Sequence, residues 1–274
     1  MITATTAALV MAVGALAGVL GSLLGIGGGV FLVPFLVLVL GTPMRAAVAT
    51  SLMAVIATSS AVAAGTAGRH LINMKLGMLL EVATAAGALA GGVTAQALSP
   101  RALQVLFGAS VGAIALVTLS RLNRRNIIVD PSADPGELGG RFHDEEAGQT
   151  VTYRMKRLPL ALAGSFVAGN LSSLLGIGGG IVKVPMLNAW CGVPMRVAAA
   201  TSAFMIGVTA TGGAVIYYGR GDVLPLLAAP AIIGVRLGST AGIRFGARAR
   251  ARWLKLLLAV VLLVVSALMF VRAM

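Results

Sequence analysis

The sequence predicts an all-α integral membrane protein of two inverted-topology repeats, each of about five helical segments. Three observations lead there: an apolar, charge-poor composition, a motif that recurs in the second half, and an uneven distribution of basic residues over the connectors. Hydrophobic residues make up 58% of the 274 and charged residues 11%, whereas a soluble domain carries roughly a quarter charged residues. Such a chain lacks the polar surface to face water all round. Several uninterrupted apolar runs reach about 18 residues or more, enough to cross a ~30 Å hydrocarbon core.

The duplication is read directly from the letters. Ala17-Gly-Val-Leu-Gly-Ser-Leu-Leu-Gly-Ile-Gly-Gly-Gly29 returns as Ala168-Gly-Asn-Leu-Ser-Ser-Leu-Leu-Gly-Ile-Gly-Gly-Gly180. Without a gap, Val33-Pro34 matches Val184-Pro185, Pro43-Met44-Arg45 matches Pro194-Met195-Arg196, and Ala49-Thr50-Ser51 matches Ala200-Thr201-Ser202. Between Ala17 and Ser51, 22 of 35 positions are identical to their partners. Chance does not produce that, so the chain is a duplicated unit.

The first repeat, residues 1–120, holds apolar segments at about 5–24, 30–40, 46–67, 76–98 and 102–120. The second, residues 158–274, holds them at about 158–175, 181–191, 197–219, 223–243 and 253–272. The second segment of each repeat is short. Eleven residues of helix reach roughly 16 Å, half a bilayer, so segments one and two of each half can form a re-entrant hairpin. Met1 to Thr6 carries no basic residue, so the first apolar run is expected to be retained rather than cleaved as a signal peptide. Residues 121–157 form a polar linker with six of the eight acidic residues.

An odd number of segments puts the second repeat into the membrane from the opposite side. One side then receives Arg69, Lys75, the basic residues of the linker, Arg196 and the Arg244 to Lys255 cluster, 15 of the 21 Lys and Arg. The other receives four: Arg45, Arg101, Arg220 and Arg272. That split places both termini outside and the linker in the cytoplasm. A pseudo-two-fold axis in the membrane plane is a transporter architecture. The formal charge of +13 sits in connectors rather than on one face, which argues against a nucleic-acid partner. Cys191 is the single cysteine, so no intramolecular disulfide forms, and no metal-ligand, Walker or HExxH spacing occurs; no cofactor is expected.

The two glycine runs are the sharpest candidates for a substrate site. Gly25, Gly27, Gly28 and Gly29, and their counterparts Gly176, Gly178, Gly179 and Gly180, interrupt a helix just before a short one. Broken backbone inside a bilayer is tolerated where it is buried in protein or lines a cavity. The amides that open the next half-helix suit an anion. Thr50, Ser51, Thr201 and Ser202 begin the third segments and can donate to an oxyanion. Asn170 stands where the first repeat has Val19 and adds a polar group near the second run. Charges within apolar segments mark a pathway or a pair. Lys183, three residues after Gly180 with Leu32 as its counterpart, is the candidate for balancing a buried anion, or else a snorkelling side chain. Glu81 and Arg236 lie at similar depth on the fourth segments and are expected to pair across the pseudo-two-fold, with a proton-coupling Glu81 as the other reading. Gly108-Ala-Ser110-Val-Gly112 fits the G-x-S-x-G nucleophile pattern, but His70 and His143 fall in loops and no membrane segment supplies a base.

The duplicated Gly-Ile-Gly-Gly-Gly with its Val-Pro, the Pro-Met-Arg loop and the Ala-Thr-Ser helix start resemble the TauE/SafE sulfite exporter family, also called the toluene-sulfonate uptake permease family. The resemblance covers almost the whole chain. It implies a multi-pass transporter of the bacterial inner membrane that moves sulfite, sulfonate, sulfoacetate, thiosulfate or a related anion on an ion gradient, not an enzyme. Its partners are then the small anion and the bilayer, and a homodimer is compatible with it. A passive anion channel shares the composition, and an intramembrane hydrolase would need Ser110.

Overall fold

A computed structural model describes residues 4–66, 71–120, 134–144, 148–246 and 251–273. The first repeat gives α1 (Ala4–Leu24), α2 (Gly29–Leu38), α3 (Met44–Thr66), α4 (Met74–Ala97) and α5 (Pro100–Ser120). The linker contributes β1 (Gly140–Asp144) and β2 (Gln149–Tyr153). The second repeat gives α6 (Leu158–Leu175), α7 (Gly180–Ala189), α8 (Met195–Gly219), α9 (Pro225–Gly246) and α10 (Ala251–Ala273). All ten expected segments are helices within a few residues of their sequence bounds. Among the described residues six of them, α1, α3, α4, α6, α8 and α9, are long and apolar enough to cross a membrane. Arg69, His70, Arg121, Arg124, Arg125, Arg248 and Arg250, used above in reading the charges and the decoy, lie outside the described residues.

The helix order in space is not the order in sequence. α1 packs along α9, and α4 along α6; these are the same pairing with the repeats exchanged. Gly14 lies against Ala231 and Val235, Gly18 against Val235 and Ser239, and Gly238 against Ala15, so α1 and α9 run parallel. On the other side Gly169 meets Thr84 and Ala88, while Gly87 and Gly91 meet Asn170. Backbones approach so closely there that a Cβ on Gly87 or Gly238 would run into a carbonyl of the facing helix. These are small-residue seams of the kind that hold helices together in lipid. The corresponding helices α3 and α8 cross antiparallel: Ser59 Oγ donates to Phe204 O (3.0 Å) near one end of the contact and Gly213 lies against Leu52 near the other. α5 and α10 are likewise antiparallel, with Gly108 on Phe270 and Gly112 on Ser266. The glycines of the nucleophile-like pattern are therefore a packing seam.

The outside of the bundle is apolar. Leu16, Val82, Val93, Val215, Leu237 and Val271 are all more than 60% exposed, which suits acyl chains and would be costly in water. The chain is thus a multi-pass helical membrane protein.

The linker is more structured than its polarity suggests. Gly140–Asp144 and Gln149–Tyr153 pair antiparallel, Phe142 opposite Val151. Asn73, in the turn between α3 and α4, clasps this hairpin. Its Nδ2 donates to Leu138 O and Tyr153 Oη, both at 2.9 Å, and its Oδ1 caps α4 by accepting from Leu76 N. Burial pushes the Tyr153 phenol above its usual pKa, and the Asn73 bond draws it part of the way back.

Candidate functional site

Both glycine runs leave regular helix by necessity. Gly25, Gly27 and Gly28 have φ of 70°, 81° and 79°, and Gly176, Gly178 and Gly179 have 71°, 80° and 69°. A left-handed backbone costs an ordinary L-residue about 1–2 kcal/mol per position, so three in four residues are tolerable only as glycine. Gly28 and Gly179 are the N-caps of α2 and α7, and neither helix has a side-chain cap. Their first turns are partly closed on themselves, Phe31 N and Val182 N donating to Gly28 O and Gly179 O and Gly180 N to Gly178 O, and no capping side chain serves the amides that remain.

The two loops meet each other. Gly27 and Gly178 both lie against Val55 and Ile206, the same pair of residues near mid-length of α3 and α8. Gly29 backs onto Gly176 O, and Gly180 onto Gly25 O. Gly25 and Gly176 are packed on the α8 and α3 backbones at Ala199 and Val48. Two helix N-termini, each equivalent to roughly half a positive charge, are thereby brought together inside the bundle.

The polar side chains around these loops are unequal in the two repeats. Ser51 Oγ donates to Gly176 O at 2.7 Å, and Thr201 Oγ1 accepts from Asn73 N at 2.9 Å. Thr50 and Ser202 are fully buried, and their hydroxyls have no protein partner. Ser172 and Ser173, in the last turn of α6, are also fully buried and unpartnered. Each such hydroxyl held away from water costs about 1–3 kcal/mol unless something else completes it. Asn170 meets Gly87 and Gly91 of α4 through its backbone.

Lys183 is fully buried and does not snorkel. Its Nζ lies 3.4 Å from Glu81 Oε2 and 3.2 Å from Thr209 Oγ1, and the Thr209 hydroxyl donates to Glu81 Oε1 at 2.8 Å. The expected pairing of Glu81 with Arg236 is thus corrected. Arg236 is on an exposed face of α9, and α9 packs on α1 and α3, whereas α4 packs on α6 and α8. The two residues point to different neighbours. A Cβ built on Gly179 stands 3.4 Å from Ser172 Cβ and 3.5 Å from Lys183 Cε. Gly179, Ser172, Lys183, Thr209 and Glu81 therefore form one cluster, drawn from α4, α6, α7 and α8. Thr209 and Ser172 escape a reading of sequence alone. Thr209 carries one faint signal, its repeat-mate Thr58, which instead donates to Gly27 O at 3.1 Å.

Arg45 and Arg196 stand at opposite ends of α4. Arg45 Nη2 donates to Gln96 O and Leu98 O at its C-terminal end. Arg196 opens α8, whose first turns carry Thr201, bonded to Asn73 at the N-terminal end.

Comparison with known proteins gives a consistent picture. The family model described as Sulfite exporter TauE/SafE matches residues 10–269. A probable membrane transporter protein of Bacillus subtilis, YunE, is 26% identical over 265 residues, covering 94% of this chain and 95% of its own. A probable membrane transporter protein of Methanocaldococcus jannaschii is 30% identical over 76% of this chain and 71% of its own. A sulfite exporter TauE/SafE family protein of Arabidopsis thaliana is 39% identical over 26% of this chain and 16% of its own. No solved structure matches.

Proposed function

The chain belongs to the TauE/SafE sulfite exporter family, its role is transport across a membrane, and on that premise we propose that it is a secondary transporter of a small sulfur-containing anion such as sulfite, a sulfonate, sulfoacetate or thiosulfate. The observation that carries this reading is the burial of Lys183 beside the Gly179 cap, where two half-helix N-termini converge. An oxyanion there meets an ammonium, backbone amides and the Ser172 hydroxyl. These are charge-assisted donors of the kind that hold sulfonate and phosphate oxygens. Broken helices meeting near mid-depth are also how secondary transporters build their sites. The membrane is the bacterial inner membrane in this reading.

The direct test is thermal stability of the purified protein with a panel of anions. A ligand that binds only the folded state raises apparent stability with its concentration. Sulfite, sulfoacetate, methanesulfonate or thiosulfate should stabilise where chloride at equal ionic strength does not. A panel without effect would remove the substrate class.

The antiparallel α3–α8 and α5–α10 contacts support repeats inserted in opposite senses, with the glycine loops as tips of re-entrant hairpins. Cysteines placed beside Arg45 and Arg220 should then react with an impermeant thiol reagent from outside, and those beside Lys75 and Arg196 from the cytoplasm. Labelling beside Arg45 and Arg196 from one side would end this topology.

A further inference from the structure

We propose that Glu81 is the resident counter-ion of Lys183, displaced by the transported anion and protonated as it leaves, so that each monovalent anion crosses with one proton. The inference rests on the anion site proposed above and names what drives it.

The argument is one of charge. Among the helices, Glu81 is the single acidic residue of the apolar segments, and its carboxylate is shared between Lys183 Nζ and the Thr209 hydroxyl. Without substrate the cluster is neutral, one ammonium against one carboxylate. A monovalent anion arriving at Lys183 leaves a net negative charge in a medium of low dielectric constant, where an uncompensated charge is strongly disfavoured. Among the described residues no other group is placed to cancel it. α6 carries no titratable side chain. α8 carries Arg196, Tyr217 and Tyr218 in its end turns only, and α4 adds Lys75 at its start. Neutrality returns when Glu81 takes a proton from the aqueous side: the carboxylate becomes a carboxylic acid, Lys183 remains an ammonium, and the anion replaces the carboxylate as its partner.

The geometry allows the exchange. The Lys183–Glu81 contact is long at 3.4 Å, and the two side chains are 0% and 13% exposed. Glu81 is the member with access to the surroundings, about 10 Å along α4 from its start at Met74. Thr209 accepts from Lys183 and donates to Glu81. A single hydroxyl rotation, which points its hydrogen at the anion instead, leaves its oxygen free to accept from the protonated carboxyl. The repeat-mates of Lys183 and Glu81 are Leu32 and Ile232, so the equivalent positions with the repeats exchanged hold no second copy of the device.

The test uses the full chain in liposomes containing the pH dye pyranine, with the membrane potential clamped by potassium and valinomycin. Methanesulfonate is the primary probe, because as a strong-acid anion it cannot carry the proton itself; thiosulfate is the second. Methanesulfonate entry through the wild type should acidify the lumen at close to one proton per anion. Glu81→Gln should lose at least tenfold of the acidification per anion taken up, and Glu81→Asp should restore it. Anion entry without luminal acidification in the wild type would overturn the inference and leave the anion site intact. So would Glu81→Gln acidifying as the wild type does. If neither anion enters or stabilises the wild type, the functional reading itself fails, and this inference with it.

Discussion

Lys183→Ala should lower the stability of the purified protein by about 3–5 kcal/mol, the scale for removing one partner of a buried ion pair. The cause is Glu81, whose side chain is 13% exposed and would keep a single donor, the Thr209 hydroxyl. Adding Glu81→Gln to Lys183→Ala should recover part of the loss, because no unpaired charge remains. Unfolding in detergent measures both, and strictly additive losses would deny the pair. Anion binding should weaken by about 1–3 kcal/mol in Lys183→Ala, the worth of a charge-assisted hydrogen bond. Leu32→Ala is the matched control. It empties a fully buried position at the equivalent site and should cost about 2–5 kcal/mol of stability with anion affinity unchanged. Equal loss of affinity in both variants would reduce the lysine to packing.

Gly179→Leu and Gly28→Leu should abolish transport while part of the protein still inserts. At Gly179 a Cβ stands 3.1 Å from Ala168 O, and the rest of a leucine would extend among Ser172 and Lys183. At Gly28 it meets Ala17 O at 2.7 Å. The strain of a positive φ is common to other glycines, which supplies the control. Gly41 and Gly221 have φ of 63° and 74°, and a Cβ there meets nothing within 4 Å. Gly41→Ala and Gly221→Ala should pay about 1–2 kcal/mol in backbone strain and retain transport. Flux through Gly179→Leu at the wild-type rate would move the substrate path away from the glycine loops.

The helices and the duplication were legible because both are written in local pattern. An apolar run of helical length and a Gly-Ile-Gly-Gly-Gly repeated before a short segment need no tertiary information. The partner of Glu81 was not legible, since periodicity fixes depth along a helix but not which neighbour a face meets. Arg236 sits on α9, which packs on α1 and α3, and Lys183 reaches Glu81 from the short α7. The hairpin was also missed. Phe142 and Val151 show strand-like alternation with their neighbours, but acidic residues and glycines around them read first as a connector. Asn73 gave no signal: one side chain bonds the hairpin and caps α4, and only the fold brings those together.

The exchange of neighbours between the repeats bears on how the chain is made. α1 lies in its seam with α9, and α4 with α6, so neither repeat is a self-sufficient folding unit. As the ribosome delivers the first five helices, the glycine faces of α1 and α4 have nothing but lipid against them. α4 is matched when α6 follows the linker, but α1 waits until nearly the whole chain has been synthesised. Contacts so distant in sequence close slowly. A first-repeat fragment expressed alone should therefore be degraded, and should accumulate when the second repeat is supplied beside it as a separate chain.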